Sequence, residues 1–219
     1  MPLWNFLIFL LLPPGTKIGP ITGGAFFKKN FSIDYLIRFL LFPTFYRISE
    51  FIINKRYKKL IFSTDLLKKF LSQKTIRKSN FNYVLKNIKI EKIKKKKIHL
   101  LIYYRKHKNK LIDFPEQLIT ELAKKKIKIV VFGDYLNIKN IKNCGFINNE
   151  IVKKLQSISK FTFCSNENIY SLFITECISN NVKILISKLN KNKIKYFKKY
   201  FIPVNFENKK YLYKLIVNE

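Results

Sequence analysis

An α/β fold, with a parallel sheet carrying helices on both faces and a mostly helical region ahead of it, is predicted by three observations. From residue 98 onward, short apolar runs alternate with amphipathic segments of helical period. Strands that alternate with helices of about ten residues imply βαβ units and a parallel sheet covered on both sides. Before residue 60 the apolar and aromatic residues come in longer blocks, and residues 72–97 between the two regions are polar and lysine-rich.

The first region opens on an apolar run, 3–12, interrupted only by Asn5. It is too short to span a bilayer and lacks the basic start of a signal peptide, so it reads as a buried strand or helix. Because the chain starts inside such an element, with Met1 and Pro2 directly before it, an incomplete polypeptide is expected. Pro13, Pro14 and Gly15 end the run, and residues 19–24 are expected to form a turn-rich loop. Residues 33–53 are dense in apolar and aromatic side chains, with Arg38 and Arg47 interspersed, and Pro43 is expected to divide them into two helical pieces. Such a pair would pack on a core; alternatively, cations beside aromatics suit peripheral contact with an anionic membrane through residues 33–53. Residues 60–63 suggest a strand, and 64–71 a helix capped by Ser63 or Thr64. The polar stretch 72–97, ending in four consecutive lysines, reads as a linker. The expected division is a partial first domain with its linker, 1–90, and a second domain, 91–219.

In the second region, strands are predicted at 98–104, 127–132, 161–164 and 182–187, with a short extended piece at 144–147. Helices are predicted at 116–125, 149–159 and 169–179, each with apolar residues along one face. Gly133 and Asp134 end the second strand sharply. In parallel sheets ligands bind beyond the carboxyl ends of the strands. Chemistry is therefore expected in the loops after Tyr104, Phe132, Cys164 and Ile186.

A formal charge of +31 and a pI near 10.1 invite a nucleic-acid partner. Only five of the 44 cationic residues are arginine, however, and arginine is the residue that grips phosphates and base edges in a planar fork. The lysines are scattered, and no zinc finger, helix-turn-helix or RNA-binding aromatic motif is present, so no nucleic acid is expected; a basic RNA-associated protein of ribosomal type is the alternative. The three cysteines, Cys144, Cys164 and Cys177, lack the close pairs of a zinc site or disulfide framework, which suits a reducing compartment. His99 and His107 do not cluster with them, so no metal site is expected.

Two loops carry the candidate chemistry. Residues 105–110, from Arg105 to Lys110, place cations at a strand's carboxyl end, where they could hold a diphosphate and stabilise its charge as it leaves. Residues 165–176 follow a strand and open a helix; helix N-terminal N–H groups attract phosphate, and a carboxylate accepts hydrogen bonds from vicinal hydroxyls. Read structurally, Glu167 and Asn168 would only cap that helix, and Glu176 would lie on its outer face.

The order of these parts resembles the donor domain of GT-B glycosyltransferases of the group-1, family-four kind. It runs strand, Arg-x4-Lys loop, helix, strand ending in Gly-Asp, Gly-Phe-Ile segment, helix, strand, acidic loop, helix and strand. Residues 19–24, Gly-Pro-Ile-Thr-Gly-Gly, are similar to a stretch late in the acceptor domain of some members. The resemblance implies a Rossmann-like second domain after a partial acceptor domain, and transfer of a sugar from a nucleotide sugar to a glycan or lipid-linked acceptor of the cell envelope. It implies no obligatory metal or other cofactor, and a cytoplasmic enzyme, peripheral at the inner face of the membrane. Arg105 and Lys110 would contact the donor diphosphate. Glu176 would hold the nucleotide ribose, within a donor-binding segment of Glu167, Asn168, Ile169, Tyr170, Ser171 and Leu172. The family's first acidic position falls on Asn168, with Glu167 adjacent, and its intervening glycines are Ile169 and Ser171 here. Those departures, and the lack of the family's first glycine-rich loop, keep a non-catalytic relative as a further alternative.

Overall fold

The structure, a computed structural model, describes residues 1–16, 18–22, 33–83, 87–106, 114–164 and 168–218. Two compact units result, Met1–Tyr83 and Val84–Glu219.

In the first unit the apolar start folds as α1 (Phe6–Leu11), whose first turn is capped by the Asn5 side chain. Next come β1 (Ile18–Ile21), α2 (Ile33–Arg56), β2 (Leu60–Phe62), a 3-10 turn at Lys68–Phe70, α3 (Gln73–Arg77) and β3 (Ser79–Asn80). The three strands form a parallel sheet in the order β1-β2-β3. Phe9, Ile18, Ile53, Leu60, Phe62 and Leu67 are buried in its core.

Four local expectations are corrected here. The loop expected at 19–24 begins as strand β1, because Gly19 lets the backbone lie against Ile61: a Cβ at Gly19 would stand 2.6 Å from the Ile61 Cβ. α2 runs through Pro43 as one helix. A proline removes one helical hydrogen bond and bends the rod without necessarily ending it. Aromatic contacts on both sides of it, Trp4–Phe42 from just before α1, Phe6–Phe45 from α1, and Tyr46–Phe70, hold its two halves on one core. The helix expected at 64–71 shrinks to the 3-10 turn: Thr64 Oγ1 accepts from Leu66 N at 3.2 Å, closing a local turn, while Leu67 and Leu71 reach into the core.

Two parts of the supposed linker are tied into the units. Its first part forms α3 and β3, secured by Glu50 of α2, whose Oε1 accepts from Ser72 N at 2.7 Å and Ser72 Oγ at 2.6 Å, and from the Thr75 hydroxyl. Its last part runs along the second unit. Glu91 N donates to Ser179 O at 2.8 Å, Asn181 Nδ2 to Glu91 O at 2.7 Å, and Lys97 N to Ile158 O at 2.7 Å. Lys96 Nζ donates to Asn180 O at 2.8 Å and Ser157 O at 3.2 Å, carbonyls at helix ends where a cation meets the negative end of the dipole.

The second unit is doubly wound. Its elements are β4 (Ile98–Tyr104), α4 (Glu116–Lys124), β5 (Ile129–Gly133), β6 (Lys142–Asn143), α5 (Asn149–Ser157), β7 (Ser159–Phe163), α6 (Leu172–Ser179), β8 (Lys183–Ser187), β9 (Phe201–Val204) and α7 (Lys209–Asn218). The six strands are parallel, in the order β6-β5-β4-β7-β8-β9. β5 shows why its run is continuously apolar: Ile129 and Val131 pack with α4 and α7, while Val130 and Phe132 pack on the opposite face with α5. α5 starts where Asn148 Oδ1 accepts from Ile151 N at 2.9 Å. α6 starts three residues later than expected because Ser171, not a residue before Ile169, supplies the cap. The extended piece expected at 144–147 pairs instead at Lys142–Asn143, where Asn143 exchanges two 3.1 Å hydrogen bonds with the Leu136 backbone. β9 and α7 extend the unit beyond the elements expected; Pro203 is tolerated in β9 because that strand is the sheet edge.

Gly133 closes β5 with φ +99°, and a Cβ there would lie 2.3 Å from Tyr104 O in the neighbouring strand. Gly145 also has positive φ, +65°, but open space around it. Gly133→Ala is therefore expected to lower stability by about 2 kcal/mol or more, and Gly145→Ala by about 1 kcal/mol. Urea unfolding midpoints of the two variants would check the difference.

Candidate functional site

Order reversal in the sheet fixes where a crevice can form. β4 leads through α4 to β5 on one side, whereas the chain returns through α5 to β7 on the other, so the two crossovers diverge above the carboxyl ends of β4 and β7. A cavity of about 430 Å³ lies there, entirely within the second unit. Its wall takes Arg105 from the end of β4, Gly133 from the end of β5, Cys164 from the end of β7, and Asn168, Ser171 and Glu176 from the following turn and α6.

One side of the cavity is aromatic. Tyr103, Phe132 and Phe173 contact one another at ring-centroid distances of 5.0, 5.7 and 5.5 Å, and all three line the space. Tyr103 is 39% exposed although it sits in a central strand, because the cavity is what it faces. Phe146, 75% exposed, and Leu172, 69% exposed, complete the wall. Large apolar side chains left open around a concave space mark a binding surface.

The polar groups are few and differ in charge. Arg105 donates to the Tyr103 hydroxyl at 2.9 Å and lies 6.0 Å from the ring centre. That hydrogen bond first, and more weakly Asp134, hold the guanidinium above its usual range. Asp134 also ties the β4 loop to β5: its Oδ2 accepts from Lys106 N at 2.7 Å and its own N donates to Tyr104 O at 3.0 Å. Glu176 lies in α6, half-buried, and among the described residues the one hydrogen bond to its carboxylate comes from Gln156 Nε2 at 3.2 Å. Leu172 and Phe173 open α6 in the cavity wall, after Ser171 has used its hydroxyl to accept from Ile174 N.

The sequence-derived candidates thus divide. Arg105, Asn168, Ser171, Leu172 and Glu176 come together around one cavity. Ile169 and Tyr170 do not line it; they are buried among Ile174, Tyr200 and Phe201. The Tyr170 hydroxyl accepts from Lys195 N and Tyr196 N, both at 2.9 Å, and donates to Tyr196 O at 3.1 Å, anchoring the turn from beneath. Asn168 Oδ1 accepts from Tyr170 N at 3.2 Å. Lys110 and Glu167 lie outside the described residues. Sequence reasoning missed Tyr103, Phe132, Phe146 and Phe173, since an aromatic in an apolar run signals only burial until the topology places it at a strand end. Among the described residues no group of three or more His, Cys, Asp or Glu could hold a metal ion.

No protein-family model and no curated protein matches the sequence. Solved structures do match in shape. The crystal structure of Anabaena HepE in complex with UDP and glucose superposes with TM-score 0.56 at 11% identity, over 91% of this chain and 62% of that one. The GtfA/B complex superposes with TM-score 0.53 at 15% identity, over 98% of this chain and 52% of that one. The chain has the GT-B fold. At these identities the likeness is one of fold, and the chain spans less than two thirds of either matched structure. HepE has also been solved in complex with UDP-glucose and with UDP alone.

No disulfide joins the cysteines. In this GT-B unit Cys177 is fully buried, and burial, reinforced by the neighbouring Glu176 carboxylate, pushes its thiol well above the usual range. Since the thiolate is the reactive form, iodoacetamide at neutral pH is expected to label half-buried Cys144 first and Cys177 only after unfolding. Timed alkylation with peptide mapping would show it; rapid native labelling of Cys177 would contradict the packing.

Proposed function

We propose that the second unit binds a nucleotide sugar in the β4/β7 crevice, and that the chain serves transfer of the sugar to a glycan or lipid-linked acceptor. The observation that carries this reading is that Arg105 and Glu176, from opposite sides of the switch point, line one cavity with an aromatic wall. A base can stack on such a wall, ribose hydroxyls can donate to a carboxylate, and a guanidinium can pair with phosphate oxygens.

In the transfer, the bond from the sugar's anomeric carbon to the diphosphate oxygen breaks and a bond to an acceptor hydroxyl oxygen forms, the hydroxyl proton being lost. Negative charge grows on the departing diphosphate. Arg105, held in place by Tyr103, and Lys110, by the family resemblance, are the cations that stabilise it, together with N–H groups at the start of α6. No metal is assigned to this step. Titration calorimetry with UDP and GDP tests the reading: Arg105→Ala is expected to weaken the preferred nucleotide about tenfold, the effect of one charged hydrogen-bonding partner. Unchanged affinity, or salt-sensitive RNA binding with no nucleotide affinity, would count against it.

For the first unit we propose peripheral docking at an anionic, cytoplasmic membrane face through residues 33–53. Ile33, Leu40, Leu41 and Phe51 of α2 are each exposed by 47% or more, and Arg47 and Lys55 are exposed on the same helix. No helix among the described residues is long and apolar enough to cross a membrane, which leaves lying on the surface as the membrane geometry for α2. Flotation with vesicles containing phosphatidylglycerol is expected to carry the protein upward in low salt. Leu40→Asp with Phe51→Asp should abolish that, and flotation by phosphatidylcholine alone would argue against the charge term.

A further inference from the structure

Gln156 of α5 is fully buried yet polar. An unbonded buried amide is costly, and an apolar side chain would fill the same space without that cost. Both ends of this amide are engaged. Nε2 donates to Glu176 Oε2 at 3.2 Å, and Oε1 accepts from Asn180 Nδ2 at 3.5 Å. Asn180 is itself held, donating from the same nitrogen to Glu176 O at 2.9 Å, while its carbonyl takes Lys96 Nζ at 2.8 Å. The amide can point only one way: turned over, its oxygen would face a carboxylate and its NH2 would face another NH2. Cys177 beside it has its thiol pushed up by burial.

We propose that Gln156 is the positioning residue of the nucleotide site. Without lining the cavity, it fixes the Glu176 carboxylate through Oε2 so that the other oxygen is presented to the ribose hydroxyls of the ligand. This inference rests on the nucleotide reading of the crevice and adds to it how the ribose contact is oriented.

The experiment compares affinity for whichever of UDP and GDP the wild-type protein binds with affinity for its 2′,3′-dideoxy counterpart. Wild type is expected to prefer the natural ribose by about tenfold or more, as for hydrogen bonds to a charged acceptor. Gln156→Met, similar in volume, is expected to bring that preference close to unity while affinity for the dideoxy ligand stays within about twofold. Gln156→Glu provides a second readout that a packing role would not give. Two adjacent carboxylates raise the pKa of one of them, so at low pH a protonated Glu side chain still donates to Glu176 and the preference survives. As pH rises and that proton leaves, the preference should vanish. If wild type discriminates and both variants keep the preference at every pH, the positioning role is overturned while the nucleotide reading stands. A wild-type protein indifferent to the ribose hydroxyls would overturn the ribose assignment of Glu176, and the role of Gln156 with it.

Discussion

The pairing of β4 with β5 along one edge and β7 along the other is the constraint on which the second unit depends. Leu100 and Leu101 are shared by both ladders, so the reversal of strand order is locked by backbone hydrogen bonds in the most deeply buried part of the sheet. Everything placed around the cavity follows from it. Arg105 is the residue after β4, Gly133 ends β5, Cys164 follows β7, and α6 returns from that same end. Residues remote in sequence meet because they share one rim of one sheet.

Much of the second unit was legible because its signals are local. A continuous run such as Ile129–Gly133 is what a strand covered on both faces requires, and Leu118, Ile119 and Leu122 recur at helical spacing. The first unit was less legible because its decisive contacts are tertiary. Nothing near Ser72 announces that Glu50 accepts its hydrogen bonds, so a polar segment read as a tether where it folds as α3 and β3. Pro43 looked like a helix breaker, but the rings of Trp4, Phe6 and Phe70 bridge the position it weakens. Gly19 read as a turn residue, whereas its missing Cβ admits a neighbouring side chain and makes a strand possible.

In the candidate site the charged residues stand out in the sequence and the apolar surfaces do not. Arg105 stands directly after β4, and Glu176 lies in α6, the helix that follows β7. Asn168, Ile169, Tyr170 and Ser171 could not be sorted beforehand, because which of four consecutive residues faces a ligand depends on the turn they adopt. Here Asn168 and Ser171 close hydrogen bonds at its two ends, Ile169 packs inward, and the Tyr170 phenol anchors to the backbone at 195–196. The aromatic wall was hidden for a related reason: Tyr103 and Phe132 belong to mostly buried runs, and composition does not separate a ring that faces a cavity from one that faces the core.

The docking of residues 89–97 against the ends of α5 and α6 bears on how such a chain could be dissected. Four consecutive lysines would ordinarily invite tryptic cleavage, since proteases cut chain that can be drawn out into extended form. Here the backbone at Lys89, Glu91 and Lys97 and the side chain of Lys96 are all hydrogen-bonded to helix-terminal residues, so a cut at that run must wait for local opening. Any excised second unit should therefore begin ahead of residue 89, or it will lose the irregular segment that hydrogen-bonds to two helix ends.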